Sequence, residues 1–375
     1  MEDEFLSKRL EERKQQQLSR SLKLSAPGSI DFCSNDYLGI VTNDLIGTIE
    51  KIESRTKWKT GATGSRLLSG NYPLIEEAEE KIAAFHQAEA ALIFNSGYDA
   101  NVGLLSCVPQ RNDVVIFDSL SHASIRDGIR LSFAASYSFQ HNDLSELEKK
   151  LEVAVEEKSN NRFVVTESVF SMDGDIAPLQ DILRVCSKYD AKLIVDEAHA
   201  TGVVGESGEG LVQVLQLQNE IFARVHTFGK ALGVHGAVVL GSNRLKEYLI
   251  NFSRAFIYTT ALPEMSIHHL LETYLIFPSL NKERKKLHDL VTLFQELPIG
   301  LEKLKSNSAI QGVVVPGNEA ARNLATKLQK NNFDIRAILY PTVPKGMERL
   351  RIVLHSFNTE EQIVELAKVL SVRSK

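Results

Sequence analysis

A chain of 375 residues exceeds what one simple core organises and points to two domains. Hydrophobic residues at 43% and charged residues at 24% are ordinary for a globular enzyme, and a formal net charge of -5 offers no footing for nucleic acid or an anionic membrane. Three distant cysteines, Cys33, Cys107 and Cys186, form no C-x-x-C or Cys/His cluster, which argues against a metal site or disulfide framework and for free thiols in a reducing compartment.

The acidic start Met1-Glu-Asp-Glu-Phe5 lacks the apolar stretch of a signal peptide, and no apolar run approaches the ~18 residues that a bilayer span needs. A cytoplasmic protein without membrane partners is expected. Residues 1–24 read as an amphipathic helix, with Phe5, Leu6 and Leu10 among charges, and residues 31–38 as a strand and turn. Gly61, Gly64 and Gly70 mark a flexible loop. Pro73 opens a helix in which Leu74, Ala78, Ile82 and Phe85 recur at helical spacing. Short β-rich runs follow at residues 91–94, 114–117, 163–165 and 193–195, with helical patterns between several of them. Asp143-Leu-Ser-Glu146 has a capping-box pattern, and Pro178 starts a helix with Leu179, Ile182, Leu183 and Cys186 inward.

This alternation predicts an α/β domain with a mostly parallel sheet covered on both faces. Ligands of such sheets bind beyond the carboxyl ends of the strands, where Asp118, Glu167, Asp196 and Thr227 fall. The last hundred residues change character. Helical patterns near residues 267–274 and 319–330 surround strands at 312–315 and 351–354, and Thr359-Glu-Glu-Gln362 opens a terminal helix with Ile363, Leu366 and Leu370 inward. The expected division is an N-terminal helix and arm over residues 1–40, a large domain over 41–262 and a small α/β domain over 263–375.

The chemistry concentrates in Leu193-Ile-Val-Asp-Glu-Ala-His-Ala-Thr-Gly202 and Thr227-Phe-Gly-Lys230. A carboxylate, an imidazole and a lysine at neighbouring strand ends are what a pyridoxal 5′-phosphate (PLP) site needs. The lysine holds the aldehyde as a Schiff base, and the carboxylate stabilises the pyridinium charge that makes the ring an electron sink. Asp196 read alone is as well explained as a strand-end residue or a cap, and His199 as a structural histidine. Lys230 stands among Phe228, Ala231 and Leu232, which favours a partly desolvated amine; a Walker phosphate loop fails for want of an upstream Gly and a following Ser or Thr. Asn95-Ser-Gly-Tyr98 links a strand to a helix, and Gly97 would let amides approach a phosphate. His122, in Ser121-His-Ala123, could stack on an aromatic ring or be an ordinary loop histidine. Arg349 and Arg351 share one strand face, and either could fork onto a substrate carboxylate.

Together, Ser34-Asn-Asp-Tyr-Leu-Gly39, Asn95-Ser-Gly-Tyr-Asp-Ala-Asn101, Asp118-Ser-Leu-Ser-His-Ala-Ser124, Val169-Phe-Ser-Met-Asp-Gly-Asp175, Asp196-Glu-Ala-His-Ala-Thr-Gly202, Thr227-Phe-Gly-Lys230 and Pro341-Thr-Val-Pro344 resemble the α-oxoamine synthases. The resemblance covers residues 31–357. It implies PLP fold type I, aspartate aminotransferase-like, with a mostly parallel seven-stranded sheet flanked by helices and a smaller C-terminal α/β domain. It implies that Lys230 binds PLP and moves protons, and that Asp196 pairs with the pyridine nitrogen. His199 and Ser171 would lie near the phenolate oxygen and His122 over the ring. Gly97, Tyr98 and Thr227 would hold the phosphate or the ring edge, and Thr260 would reach the phosphate from a second subunit, making a homodimer with sites at the interface. Asn35, Thr342 and Arg351 match substrate-side positions, as does Arg20. The implied reaction is a decarboxylative condensation of an amino acid with an acyl-CoA. Members joining L-alanine to a pimeloyl thioester fit best; those using glycine with acetyl-CoA or serine with palmitoyl-CoA stay open, as does an idle PLP-fold binding protein. Leu339-Tyr340 and Arg66 depart from the pattern and bear on the acyl chain.

Overall fold

The computed structural model describes residues 3–16, 18–50 and 58–371, so residues 1, 2 and 17 of the expected first helix lie outside it. In chain order the strands are β1 Ile30–Asp31, β2 Ala90–Phe94, β3 Val114–Asp118, β4 Ala135–Phe139, β5 Arg162–Glu167, β6 Ala191–Asp196, β7 Ala223–Thr227, β8 Ala237–Gly241, β9 Ile310–Val314, β10 Phe333–Asp334, β11 Arg336–Ile338 and β12 Arg349–Val353. Contacts divide the chain into two compact units. The larger spans Leu38–Ser171 and Ile176–Arg284; the smaller takes the described parts of residues 1–37 and 285–375, with Met172–Asp175. The division thus falls near residues 37 and 284 rather than 40 and 262. Helix Glu264–Ile276 packs on helix Pro73–Phe85 inside the larger unit, and the N-terminal residues group with the C-terminal ones.

The larger unit holds a seven-stranded sheet in the order β2-β8-β7-β6-β5-β3-β4. All neighbouring pairs from β7 to β4 are parallel, while β8 runs antiparallel to both β2 and β7. Successive side chains of a strand point to opposite faces, so a sheet covered on both sides needs unbroken apolar runs. Val115 and Ile116, Val164 and Val165, and Ile194 and Val195 meet that demand. Ile116, Val164 and Val195 pack with Leu147, Leu151 and Ile182 in one core; Val115, Val165 and Ile194 pack with Leu104, Ile125 and Leu249 in the other. The edge strand β4 is Ser-rich and mostly exposed, and β7 carries buried Arg224 and His226. Neither reads as an apolar run.

The expected helices form where their caps sit. Asp143 accepts from the Glu146 amide, and Thr359 and Gln362 exchange both bonds of a capping box ahead of helix Glu360–Ser371. In helix Pro73–Phe85 the buried positions are Ile75, Ala78, Glu79, Ile82 and Ala83, so Leu74 and Phe85 are only half-buried. The first helix is shorter than expected, Glu4–Gln15, and buries none of its residues. Ser19, Ser21 and Ser25 follow it, and serine side chains compete for backbone bonds.

In the smaller unit β12 pairs antiparallel with both β11 and β9, and β1 pairs parallel with β10. Gly174 takes φ +76, and a Cβ there would stand 2.1 Å from the Ile310 carbonyl, so the Met-Asp-Gly-Asp turn can hold only glycine at that point.

Glu79 is 1% exposed and stands at the centre of a buried ionic cluster. Its oxygens lie 2.8 Å from Arg66 and 2.8 Å from Lys246, and one accepts from the Ile93 amide at 3.0 Å. Removing one member of a buried ionic cluster strands the others. Glu79→Leu is therefore expected to lower stability by about 3–5 kcal/mol in urea unfolding; a change under ~1 kcal/mol would refute the pairing as a structural clamp.

Candidate active site

Four adjacent parallel strands of the larger unit end together, β7 at Thr227, β6 at Asp196, β5 at Glu167 and β3 at Asp118. Lys230 lies three residues past Thr227, in a turn closed by hydrogen bonds from Gly233 to Lys230 and from Val234 to Phe228. Its neighbours Phe228, Ala231 and Leu232 are buried, while Lys230 itself is half-buried. Lys230 Nζ stands 2.8 Å from His199 Nε2. His199 arrives on the turn that follows Asp196, whose residues Glu197 to Thr201 are held by the Ala200 and Thr201 amides donating to the Glu197 carbonyl.

Asp196 is 6% exposed. Its Oδ1 accepts from the Ala198 amide at 2.9 Å and its Oδ2 from Asn101 Nδ2 at 2.7 Å. The same Asn101 nitrogen donates to Ser124 Oγ at 3.0 Å, and that hydroxyl lies 2.8 Å from His122 Nδ1. Glu167 Oε1 accepts from the His122 amide at 2.6 Å. His122 is an exposed residue. Its pKa is lowered, chiefly by partial burial, with the charges of Asp196 and Lys230 acting in opposite directions.

Gly97 begins helix Gly97–Leu105, capped by Ser96 accepting from the Asp99 amide at 3.1 Å. The first-turn amides of Gly97 and Tyr98 have no acceptor within the helix and carry its positive end. A Cβ on Gly97 would reach 3.4 Å from Thr227 Oγ1, so the glycine keeps a cradle open beside that hydroxyl. The Tyr98 phenol is turned to Asp127, 2.8 Å away. Ser171 is buried inside the turn that the Val169–Ile176 bridge closes. Asn95 donates to the Thr259 hydroxyl at 2.9 Å and to the Thr260 carbonyl at 2.8 Å, and Thr260 is exposed. A lysine amine, a fixed carboxylate, an imidazole and a helix-end anion cradle form a donor set that fits PLP.

The remaining expected residues lie in the smaller unit. Arg351 Nη2 donates to Asn35 Oδ1 at 3.0 Å, and the buried Tyr37 hydroxyl donates to the same oxygen at 3.0 Å. Burial raises the Tyr37 pKa to about 12. Arg349, which shares the strand face, is buried and ion-paired with Asp173, so the two arginines are not equivalent. Thr342 is exposed after the cis Tyr340–Pro341 bond, with its amide donating to Leu339 at 2.8 Å. Arg20 is exposed in a stretch without regular structure. Arg66, a specificity question in the sequence, is consumed by Glu79 and by Asn71, 2.8 Å from its Nε.

Three supporting residues had no assigned role from the sequence: Asn101, Ser124 and Glu167. Asn101 had a signal, as a lone amide in the apolar run Ala100-Asn-Val-Gly-Leu-Leu105. Glu167 has a pKa raised to about 8, first by burial and then by the Asp196 charge; its register partner across the strands is Asp196 itself. Among the described residues, no group of three or more His, Cys, Asp or Glu could hold a metal ion, and no helix is long and apolar enough to cross a membrane.

The sequence profile of the class I and II aminotransferases matches residues 27–370. An 8-amino-7-oxononanoate synthase of Emericella nidulans is 37% identical over 98% of this chain and 94% of its own. Among solved structures, a serine palmitoyltransferase from S. paucimobilis with a bound PLP–myriocin adduct superposes with a TM-score of 0.86 at 25% identity, over 98% of this chain and 96% of that one. An 8-amino-7-oxononanoate synthase from Francisella tularensis gives 0.76 at 31% identity, over 92% and 98%.

The raised Glu167 pKa has a consequence for stability. Between the ordinary value of 4.5 and about 8, the folded chain keeps a proton that the unfolded chain has released, so the contribution of Glu167 to stability is lost as pH rises through that window. Thermal unfolding of the cofactor-free protein is expected to show this decline, with a shallower slope in Glu167→Gln. An unchanged slope in that variant would assign the decline to other groups.

Proposed function

The chain belongs to the class I and II aminotransferases and, within them, to the PLP-dependent α-oxoamine synthases; on that premise we propose that it joins L-alanine to a pimeloyl thioester, giving 8-amino-7-oxononanoate, CO2 and CoA. The observation that carries the PLP chemistry is the 2.8 Å pairing of Lys230 with His199 beside a buried, doubly hydrogen-bonded Asp196, and the likeness to 8-amino-7-oxononanoate synthases supports the choice of substrates. The likeness to serine palmitoyltransferase is one of backbone at 25% identity. Against the synthase of E. nidulans the identity is 37%, and side chains rather than backbone decide which acyl group is accepted.

Lys230 would hold the cofactor through Nζ, Asp196 would pair with its ring nitrogen, and the Gly97 end of the helix with Thr227 would take its phosphate. Bound there, PLP supplies an electron sink for the charge that builds at the amino acid's α-carbon. Lys230 Nζ, with His199 Nε2 2.8 Å away to orient it, would be the base that removes the α-proton and later returns one. Asp196 is fixed before the reaction by Asn101 and Ala198, so no reorganisation is required as charge develops. We assign the substrate carboxylate to Arg351, because Asp173 already neutralises Arg349. The exposed polar positions Arg20 and Thr342 are assigned to substrate binding on the family pattern alone.

A homodimer is also proposed, with Thr260 serving the partner's phosphate. Its support is an exposed apolar patch on adjoining loops, where Leu68 is 85% and Tyr258 72% exposed and Ala261 donates to the Gly64 carbonyl. The free cysteines fit a reducing, cytoplasmic setting.

Turnover of alanine, glycine and serine with pimeloyl-, acetyl- and palmitoyl-CoA, followed by thiol release, tests the substrate. Alanine with pimeloyl-CoA should lead; turnover confined to glycine with acetyl-CoA would overturn the assignment. Lys230→Ala should abolish turnover and the borohydride-reducible attachment of PLP. Arg351→Ala should raise KM for the amino acid about 10-fold or more with PLP affinity little changed. Equal loss of both would mean that the wrong arginine has been chosen.

A further inference from the structure

We propose that Asn101 and Ser124 form a fixed donor relay that holds Asp196 in place and sets His122 as its Nε2–H tautomer. The proposal deepens the PLP reading and rests on it. The direction of the relay follows from what each group can do. A carboxamide nitrogen only donates, and Asn101 Nδ2 has two protons and two partners, Asp196 Oδ2 at 2.7 Å and Ser124 Oγ at 3.0 Å. The opposite orientation of the amide would set its oxygen against a buried carboxylate oxygen, so the assignment is electrostatically determined.

Ser124 Oγ, having accepted from Asn101, has one proton to give, and His122 Nδ1 lies 2.8 Å away. The Ser124 amide also donates to Nδ1, at 3.2 Å. Nδ1 is thus an acceptor approached by two donors, and the ring proton belongs on Nε2. Asn101 and Ser124 are 2% and 1% exposed, so water does not compete for these bonds. Partial burial, which lowers the His122 pKa, keeps the ring in the neutral form to which a tautomer applies.

One side chain therefore serves the two groups that the PLP reading places at the edge and over the face of the ring. Asn101 is a positioning residue for Asp196 directly and for His122 through Ser124. The donor that His122 presents to whatever lies beside it is Nε2–H, with its direction set from below. The Glu167 bond to the His122 amide, 2.6 Å, fixes the backbone from which the ring is presented.

The test uses holoenzyme labelled with 15N-histidine, with the His122 signals assigned by their loss in His122→Gln. Wild type should show a protonated Nε2 and a bare Nδ1. In Ser124→Ala the two nitrogen shifts should move toward each other, kcat should fall about 10-fold, and PLP affinity should stay within about threefold, because the Asn101–Asp196 bond survives. Asn101→Ala should repeat the His122 change and also weaken PLP binding about 10-fold or more. A wild-type His122 protonated on Nδ1 overturns the proposal, as do unchanged shifts in Ser124→Ala, or a PLP loss there as large as in Asn101→Ala. If Asn101→Ala fails to fold, the wild-type tautomer and the Ser124→Ala spectra still decide. Failure of the wild type to take up PLP would overturn the cofactor reading itself, an outcome distinct from all of these.

Discussion

Asp196 is a carboxylate held almost entirely out of water at the end of a central strand, and the protein can keep it there only by supplying hydrogen bonds in place of solvent. One bond comes from its own turn, through Ala198. The other comes from Asn101, on a helix distant in sequence. That second bond ties helix Gly97–Leu105 to the strand end. Gly97 lies one turn upstream of Asn101, about 6 Å along the axis. The helix that satisfies the carboxylate therefore also delivers its positive end to the neighbourhood of Thr227.

The parallel sheet concentrates charge by the same logic. Strands running in one direction collect their carboxyl ends along one edge, and Glu167 pairs in register with Asp196. Two neighbouring buried carboxylates do not both ionise easily. Glu167 takes the upward shift, chiefly from its burial and then from the Asp196 charge beside it. Lys230 and His199 sit in the same field, paired with each other. The acid–base character of the site is thus a property of the strand ends jointly.

Two arginines are paired with acids, Arg66 with the buried Glu79 and Arg349 with the half-buried Asp173. Glu79 lies 13 residues from its arginine, whereas Asp173 lies 176 residues from Arg349. Arg351 donates to a neutral amide oxygen, that of Asn35, at 3.0 Å.

The alternation of strands and helices, the caps at Asp143 and Thr359, the strand-end residues and the family motifs were legible along the chain. These depend on local rules: periodicity of burial, capping chemistry, and runs of a few residues with a fixed role. The sequence did not disclose β4, whose residues face solvent at a sheet edge, nor the shorter first helix, whose apolar residues find no cover within the chain. Tertiary structure alone decided the pairs that cross long sequence distances: Asn101 with Asp196, Asp173 with Arg349, Asn35 with Arg351. A hydrogen bond or ion pair requires a few ångströms of proximity, and no periodicity along the chain encodes which distant partner folding brings to that distance.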